Sequence, residues 1–237
     1  KRQGEKFGGE FNVQVFSPSN TVQELDLTAV EGILKPRDFV WQGMLHIWIG
    51  IDHILFLVAL LLPAVLVRRD PLTGEQWSRL PRFRSALWNV VKIVTVFTVA
   101  HSITLTLAAL DIVTLPSRLV ESMIALSIIF VAVNNIVPKF HVNTLAVIFF
   151  FGLFHGMGFA SVMGDLPFRM VDLLKVILAF NIGVELGQIA IVAAIMPLLF
   201  WLARSQLYPR MVLVGGSVAI CFVAAFWLVE RATGLTL

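Results

Sequence analysis

Long apolar runs, separated by short polar stretches, set the pattern of this chain. Six of the runs approach the ~20 residues that a helix needs to cross a hydrocarbon core. They cover 41–67, 86–110, 117–136, 143–163, 172–203 and 209–229. The fifth exceeds one crossing, which predicts a helix that tilts, breaks or extends into water. Trp41, Trp88, Trp201 and Trp227 fall near the ends of runs, where interfacial aromatics belong. The pattern predicts an all-α polytopic membrane protein, a bundle of six transmembrane helices with seven as the alternative count.

Residues 1–38 follow another rhythm. "FNVQVF" (Phe11 to Phe16) and "LDL" (Leu25 to Leu27) alternate apolar and polar positions around the turn-like "SPSN", a hairpin signal. Two strands alone are marginal in water, so 1–38 reads as a β-like extracytoplasmic segment, the tail of a larger domain, and 39–237 as the helical bundle. The chain begins at Lys1 without a methionine or a signal-like apolar stretch, which leads to the expectation of further sequence upstream.

Composition agrees with the membrane assignment: of 237 residues 58% are hydrophobic and 14% charged, with a mean hydropathy of +0.87, where soluble domains carry about a quarter charged residues. A single cysteine, Cys221, excludes an internal disulfide and a cysteine-rich metal site. The net charge of +3 matters less than its placement. Arg68, Arg69, Arg79, Arg82 and Arg84 lie in the first connection, Lys139 in the third, and Arg204 and Arg210 in the fifth. The second and fourth connections balance their cations with Asp111, Asp165 and Asp172. Positive charge marks the cytoplasmic side, so both termini are expected outside, in an integral protein of the bacterial inner membrane. Nothing in the pattern calls for nucleic acid. The expected partners are the bilayer, a metal ion, and either another membrane protein or further copies of the chain.

Ionisable residues inside a span are costly and mark functional sites by default. The first span holds His46, Asp52 and His53, the second His101 beside Ser102, and the third Glu121. The fourth holds His155, and the fifth Asn181, Glu185 and Gln188. At ~1.5 Å per residue from the outer end of each span, His53 lies about 18 Å deep, His101 and His155 about 14 Å, and Glu185 about 18–20 Å. These four converge on one layer, whereas His46 and Glu121 sit at about 6–8 Å. The order suggests a polar path entering from outside and ending near the midplane. Gly152, Gly156 and Ala160 on the fourth span, and Gly183 and Gly187 on the fifth, have small-residue spacing suited to close helix contact. That spacing predicts that spans four and five pair, bringing His155 near Glu185.

Imidazoles with carboxylates form a nitrogen and oxygen donor set suited to Zn²⁺, Ni²⁺, Co²⁺ or Cu²⁺. The candidate metal residues are therefore His46, Asp52, His53, His101, His155 and Glu185, with Glu121, Asn181 and Gln188 around them. Asp52 is either a ligand or the partner that orients His53. Ser102, Thr104 and Thr106 are expected to bond backbone carbonyls.

The motifs carry a resemblance. "HIWIGIDHILF", "FTVAHSITLTLAAL", "FFFGLFHGMGFA" and "FNIGVELGQ" resemble those of the second branch of the HupE/UreJ family of hydrogenase and urease accessory membrane proteins, over about residues 40–230. The resemblance implies six or seven spans and the handling of nickel or cobalt, with His46, Asp52 and His53 contacting the metal and His155 and Glu185 as partners. Where the better-described branch has a His-Ala-His-Gly-type motif, "LFHGMG" keeps only His155.

Three functions fit. One is uptake or delivery of a divalent nickel, cobalt or zinc ion. The second is an intramembrane zinc hydrolase acting on a lipid or membrane peptide, with Glu185 or Asp52 as general base and Ser102 contacting substrate. The third is a structural subunit of a membrane complex. Few polar residues lie below Glu185 apart from Asn134 and Asn135, so the inner half is expected to be dry.

Overall fold

The computed structural model describes residues 36–68, 77–137, 143–158 and 170–234. Of the expected β-like segment 1–38, residues 1–35 lie outside these, as does Ala160, while 36–38 are helical. The described residues form seven α-helices: α1 (Pro36–Ile49), α2 (Ile51–Leu61), α3 (Phe83–Ala109), α4 (Ser117–Ile136), α5 (Thr144–Met157), α6 (Met170–Leu202) and α7 (Gly216–Thr233). A π-helical turn, Pro209–Gly215, leads into α7.

Four of these helical segments are long and apolar enough to cross a bilayer, α3, α4, α6 and the turn joined to α7; a fifth arises if α1 and α2 count as one bent span. α5 is apolar but only 14 residues long. Apolar side chains cover the outside of the bundle, Phe222 being 74% exposed and Leu178 64%. In water such a surface would be a large liability; facing lipid it is expected. The chain is a helical membrane protein.

The first span departs from expectation. It is a pair of helices bent by 71° at Gly50. The Gly50 amide still closes α1 on the His46 carbonyl at 3.0 Å, but its backbone turns extended, at φ −70° and ψ 91°. A Cβ at Gly50 would stand 2.7 Å from that carbonyl and 2.8 Å from His53 Nδ1. Glycine at the break thus gives the His53 ring its room.

The glycine spacings are close-contact seams, yet their partners differ from those expected. Gly183 and Gly187 face α1: a Cβ on Gly183 would strike the Val40 carbonyl, one on Gly43 the Phe180 carbonyl, and one on Gly187 would meet Met44 Cα at 3.2 Å. On α5, Gly152 fits against Ala100 and Phe97 of α3, and Gly156 against the His101 carbonyl and Thr104. α3 therefore lies against both α5 and α6, so His155 and Glu185 approach different neighbours. Spacing identifies a surface that admits a backbone but not whose backbone arrives.

A two-stranded antiparallel hairpin closes one end of the bundle, β1 (Leu66–Arg68) with β2 (Trp77–Arg79), Val67 opposite Ser78. These three-residue strands are too short for alternation to show in the sequence. At the same end the Tyr208 hydroxyl donates to the Leu62 carbonyl at 2.9 Å, tying the α6–α7 connection to the end of α2. Asn143 caps α5, accepting from the amides of Leu145 at 3.1 Å and Ala146 at 3.4 Å.

Candidate metal centre

The break at Gly50 places His46 at the end of one helix and His53 at the start of the next. Their rings lie 4.7 Å apart between centroids, and that of His101 lies 5.9 Å from His46 and 6.1 Å from His53. One ring nitrogen of each falls within 4.8 Å of the others. The donor nitrogens of three imidazoles around a zinc-sized ion stand about 3.3 Å apart, from metal–nitrogen bonds of about 2.0–2.1 Å, so an ion would draw these rings closer. His46 therefore stands against the His53 ring, closer than depth counted along a straight helix suggests, because that count fails at the bend.

Hydrogen bonds assign the protons on three of the rings. The Asn181 amide nitrogen donates to the Ile177 carbonyl at 2.8 Å, which turns its oxygen toward His101 Nδ1 at 3.2 Å. Nδ1 must then carry the hydrogen, and Nε2 keeps the lone pair. Asp52 Oδ1 accepts from the His53 amide at 2.9 Å and stands 3.0 Å from His53 Nδ1, again leaving the Nε2 lone pair. On His155 the roles reverse. The Ser127 hydroxyl donates to the Ile124 carbonyl at 2.6 Å, so it receives His155 Nε2–H at 3.1 Å and the lone pair is on Nδ1. The three lone-pair nitrogens, His53 Nε2, His101 Nε2 and His155 Nδ1, are buried without a hydrogen-bond partner among the described residues. Burying an acceptor unsatisfied costs about 1–3 kcal/mol. An electron-pair acceptor such as a metal ion would repay that cost at more than one ring together.

His155 stands beside the three-histidine group, its ring 5.1 Å from that of His53, but its nitrogens are not within the 4.8 Å set. Asp52 orients His53 and also faces outward, with Oδ2 3.7 Å from Arg231 of α7. Arg231 reaches the Glu121 carbonyl at 3.4 Å and packs its guanidinium 5.2 Å from the Trp227 ring. Glu121 accepts from Ser117 at 2.6 Å, and Arg231 links Glu121 and Asp52 at one end of the bundle.

Glu185 stays apart from the histidines: Thr95 donates to it at 2.8 Å, at the bundle's surface. Gln188, on the same helix, accepts from Thr98 at 3.0 Å. Ser102 donates to the Thr98 carbonyl at 2.6 Å, and Thr104 and Thr106 bond carbonyls of their own helix at 3.3 Å and 2.7 Å, as expected. Periodicity overlooks Ser127 and Arg231. Ser127 resembles any back-bonding helix serine, and Arg231 sits just past the apolar run, where a cation usually means only a span end.

Phenylalanines floor the cluster. The Phe97 ring lies 6.3, 6.1 and 5.1 Å from His53, His101 and His155, and Phe56 lies 4.9 Å from His155.

Comparison with curated proteins and with solved structures returns no match. The family model described as "HupE / UreJ protein" matches residues 23–231, a stretch that includes every histidine of the cluster. With that match over most of its length, the chain belongs to the HupE/UreJ family.

Proposed function

We propose that this protein carries a divalent transition metal, nickel or cobalt with zinc as the competing ion, into or across the bacterial inner membrane. The observation that carries the proposal is the grouping of imidazole nitrogens from α1, α2 and α3, with the tautomers of His53 and His101 held by Asp52 and Asn181. Neutral imidazole suits these borderline ions, and partners on the far ring nitrogen raise ligand basicity and hold orientation. His46, His53 and His101 hold the ion, and His155 is the next donor along its path. In this account the protein has six spans, α1 with α2 being the first and α5 the fourth. The arginine-rich hairpin face is cytoplasmic, and the end at Glu121 and Asp52 is external.

An intramembrane hydrolase would require a free base beside the ion. Glu185 is held by Thr95 away from the rings, Asp52 is held between His53 and Arg231, and the Ser102 hydroxyl is bonded within its own helix. Carriage is therefore the better-supported reading. The test is uptake into proteoliposomes enclosing a metal-sensitive dye, with Ni²⁺, Co²⁺ or Zn²⁺ added outside. The proposal expects a saturable signal that His53→Ala removes. Protein that binds metal yet gives no signal above empty liposomes with any of the three ions would overturn it.

A further inference from the structure

The end of the bundle nearest the hairpin is not solid. A cavity of about 460 Å³ opens there, with Asn89, Asn134 and Asn135 among its lining residues. Asn89 is exposed on its rim. Asn135 is held in place, donating to the Ala59 carbonyl at 2.8 Å and approaching Ser217 Oγ at 3.2 Å. A cavity of this size with several amide side chains is roomy and polar enough to hold water. This end of the bundle is thus open enough to admit water, which its composition alone does not suggest.

The cavity also reaches close beneath the histidines. Its lining includes Leu60 of α2, Ile93 of α3 and Ile148 of α5. Leu60 is one helical turn beyond Phe56, and Ile93 is one turn before Phe97, a rise of about 5.4 Å on each helix. Phe56 and Phe97, each 2% exposed, touch at 5.5 Å between centroids. The same rings lie against His53, His101 and His155. Phe56 and Phe97 therefore lie between the imidazole cluster and the turns of α2 and α3 that line the cavity.

We infer that Phe56 and Phe97 form the gate between the histidine site and a hydrated inner vestibule, through which a divalent cation leaves toward the hairpin face. This rests on the carrier function proposed above and supplies its second half. Two phenyl rings in contact exclude a hydrated cation by size and by low polarity. Opening requires one of these buried rings to move aside.

The test uses membrane vesicles of both orientations, carrying Ile93→Cys in a Cys221→Ser background, and a membrane-impermeant thiol reagent. Ile93→Cys should react from the hairpin face and hardly at all from the other. Adding Phe56→Ala with Phe97→Ala should raise labelling from the opposite face by about tenfold, equivalent to about 1.4 kcal/mol off the barrier. Phe97→Leu, which keeps the bulk, should leave it near the parent value and guards against a general loss of folding. Labelling of Ile93→Cys equally from both faces, or no labelling from the hairpin face, would overturn the gate. So would a double-alanine variant that folds yet labels as its parent does. Metal content of the same preparations separates the two proposals: absence of bound metal removes the carrier reading, while the labelling alone decides the gate.

Discussion

Asn181→Leu offers the sharpest test of how the centre is set. Leucine nearly matches asparagine in size but cannot accept the hydrogen that His101 Nδ1 offers at 3.2 Å. The ring then has two poor choices. It can keep Nδ1–H and leave it buried and unbonded, at about 1–3 kcal/mol, or it can move the proton to Nε2 and abolish the lone pair aimed at the other histidines. Loss of an outer partner of this kind costs about 10–100-fold in metal affinity, or about 1.4–2.8 kcal/mol. The assay is competition with a chromophoric chelator on detergent-purified protein, with the folded fraction checked by size exclusion. Gln188→Leu is the matched control, because Gln188 bonds Thr98 and not a histidine; it should leave affinity unchanged. If Asn181→Leu bound as tightly as the parent, with the same stoichiometry, the tautomer argument would fail and His101 would not be a ligand through Nε2.

Other expectations follow from single contacts. Asp52→Leu removes the acceptor of His53 Nδ1–H and should weaken metal binding by about 10–100-fold in the same chelator assay; an unchanged affinity would make Asp52 merely the partner of Arg231. Gly183→Val drives a side chain into the Val40 carbonyl across the α1–α6 seam, and overpacking of this kind costs about 1–3 kcal/mol. It should lower the melting temperature in detergent, and a normal melt would deny that seam. Gly50→Ala sets a methyl group against the His46 carbonyl and His53 Nδ1, so metal affinity should fall even where the folded yield survives; a retained affinity would mean the rings do not depend on the bend.

Much of the fold was legible because lipid makes apolar length decisive. Span boundaries at 86–110 and 117–136 lie within three residues of α3 and α4. The break in the first span was not legible: "HIWIGIDH" continues the apolar pattern through Gly50, and a lone glycine within a helix costs only about 1 kcal/mol. Only three-dimensional contact shows that a Cβ there would meet His53. Of the candidate site, the convergence of histidines was legible and the placement of the carboxylates was not. Asn181, expected around the ligands, does stand beside a histidine, whereas Glu185, one turn further along, points toward Thr95 at the surface. Depth places residues in a layer but leaves their azimuth undetermined, and azimuth separates a ligand from a lipid-facing side chain. Ser127 and Arg231 escaped for the same reason, their roles being set by neighbours from other helices.

The central claim is that His46, His53 and His101 hold one metal ion. The most direct measurement is elemental analysis by mass spectrometry of purified protein loaded in turn with Ni²⁺, Co²⁺ and Zn²⁺, beside a His53→Ala, His101→Ala double variant of equal folded fraction. The account predicts about one ion per chain in the parent and close to none in the variant, as expected when two of three imidazole ligands are lost. A parent chain that retains none of the three ions, or a variant that retains them as well as the parent, would contradict it.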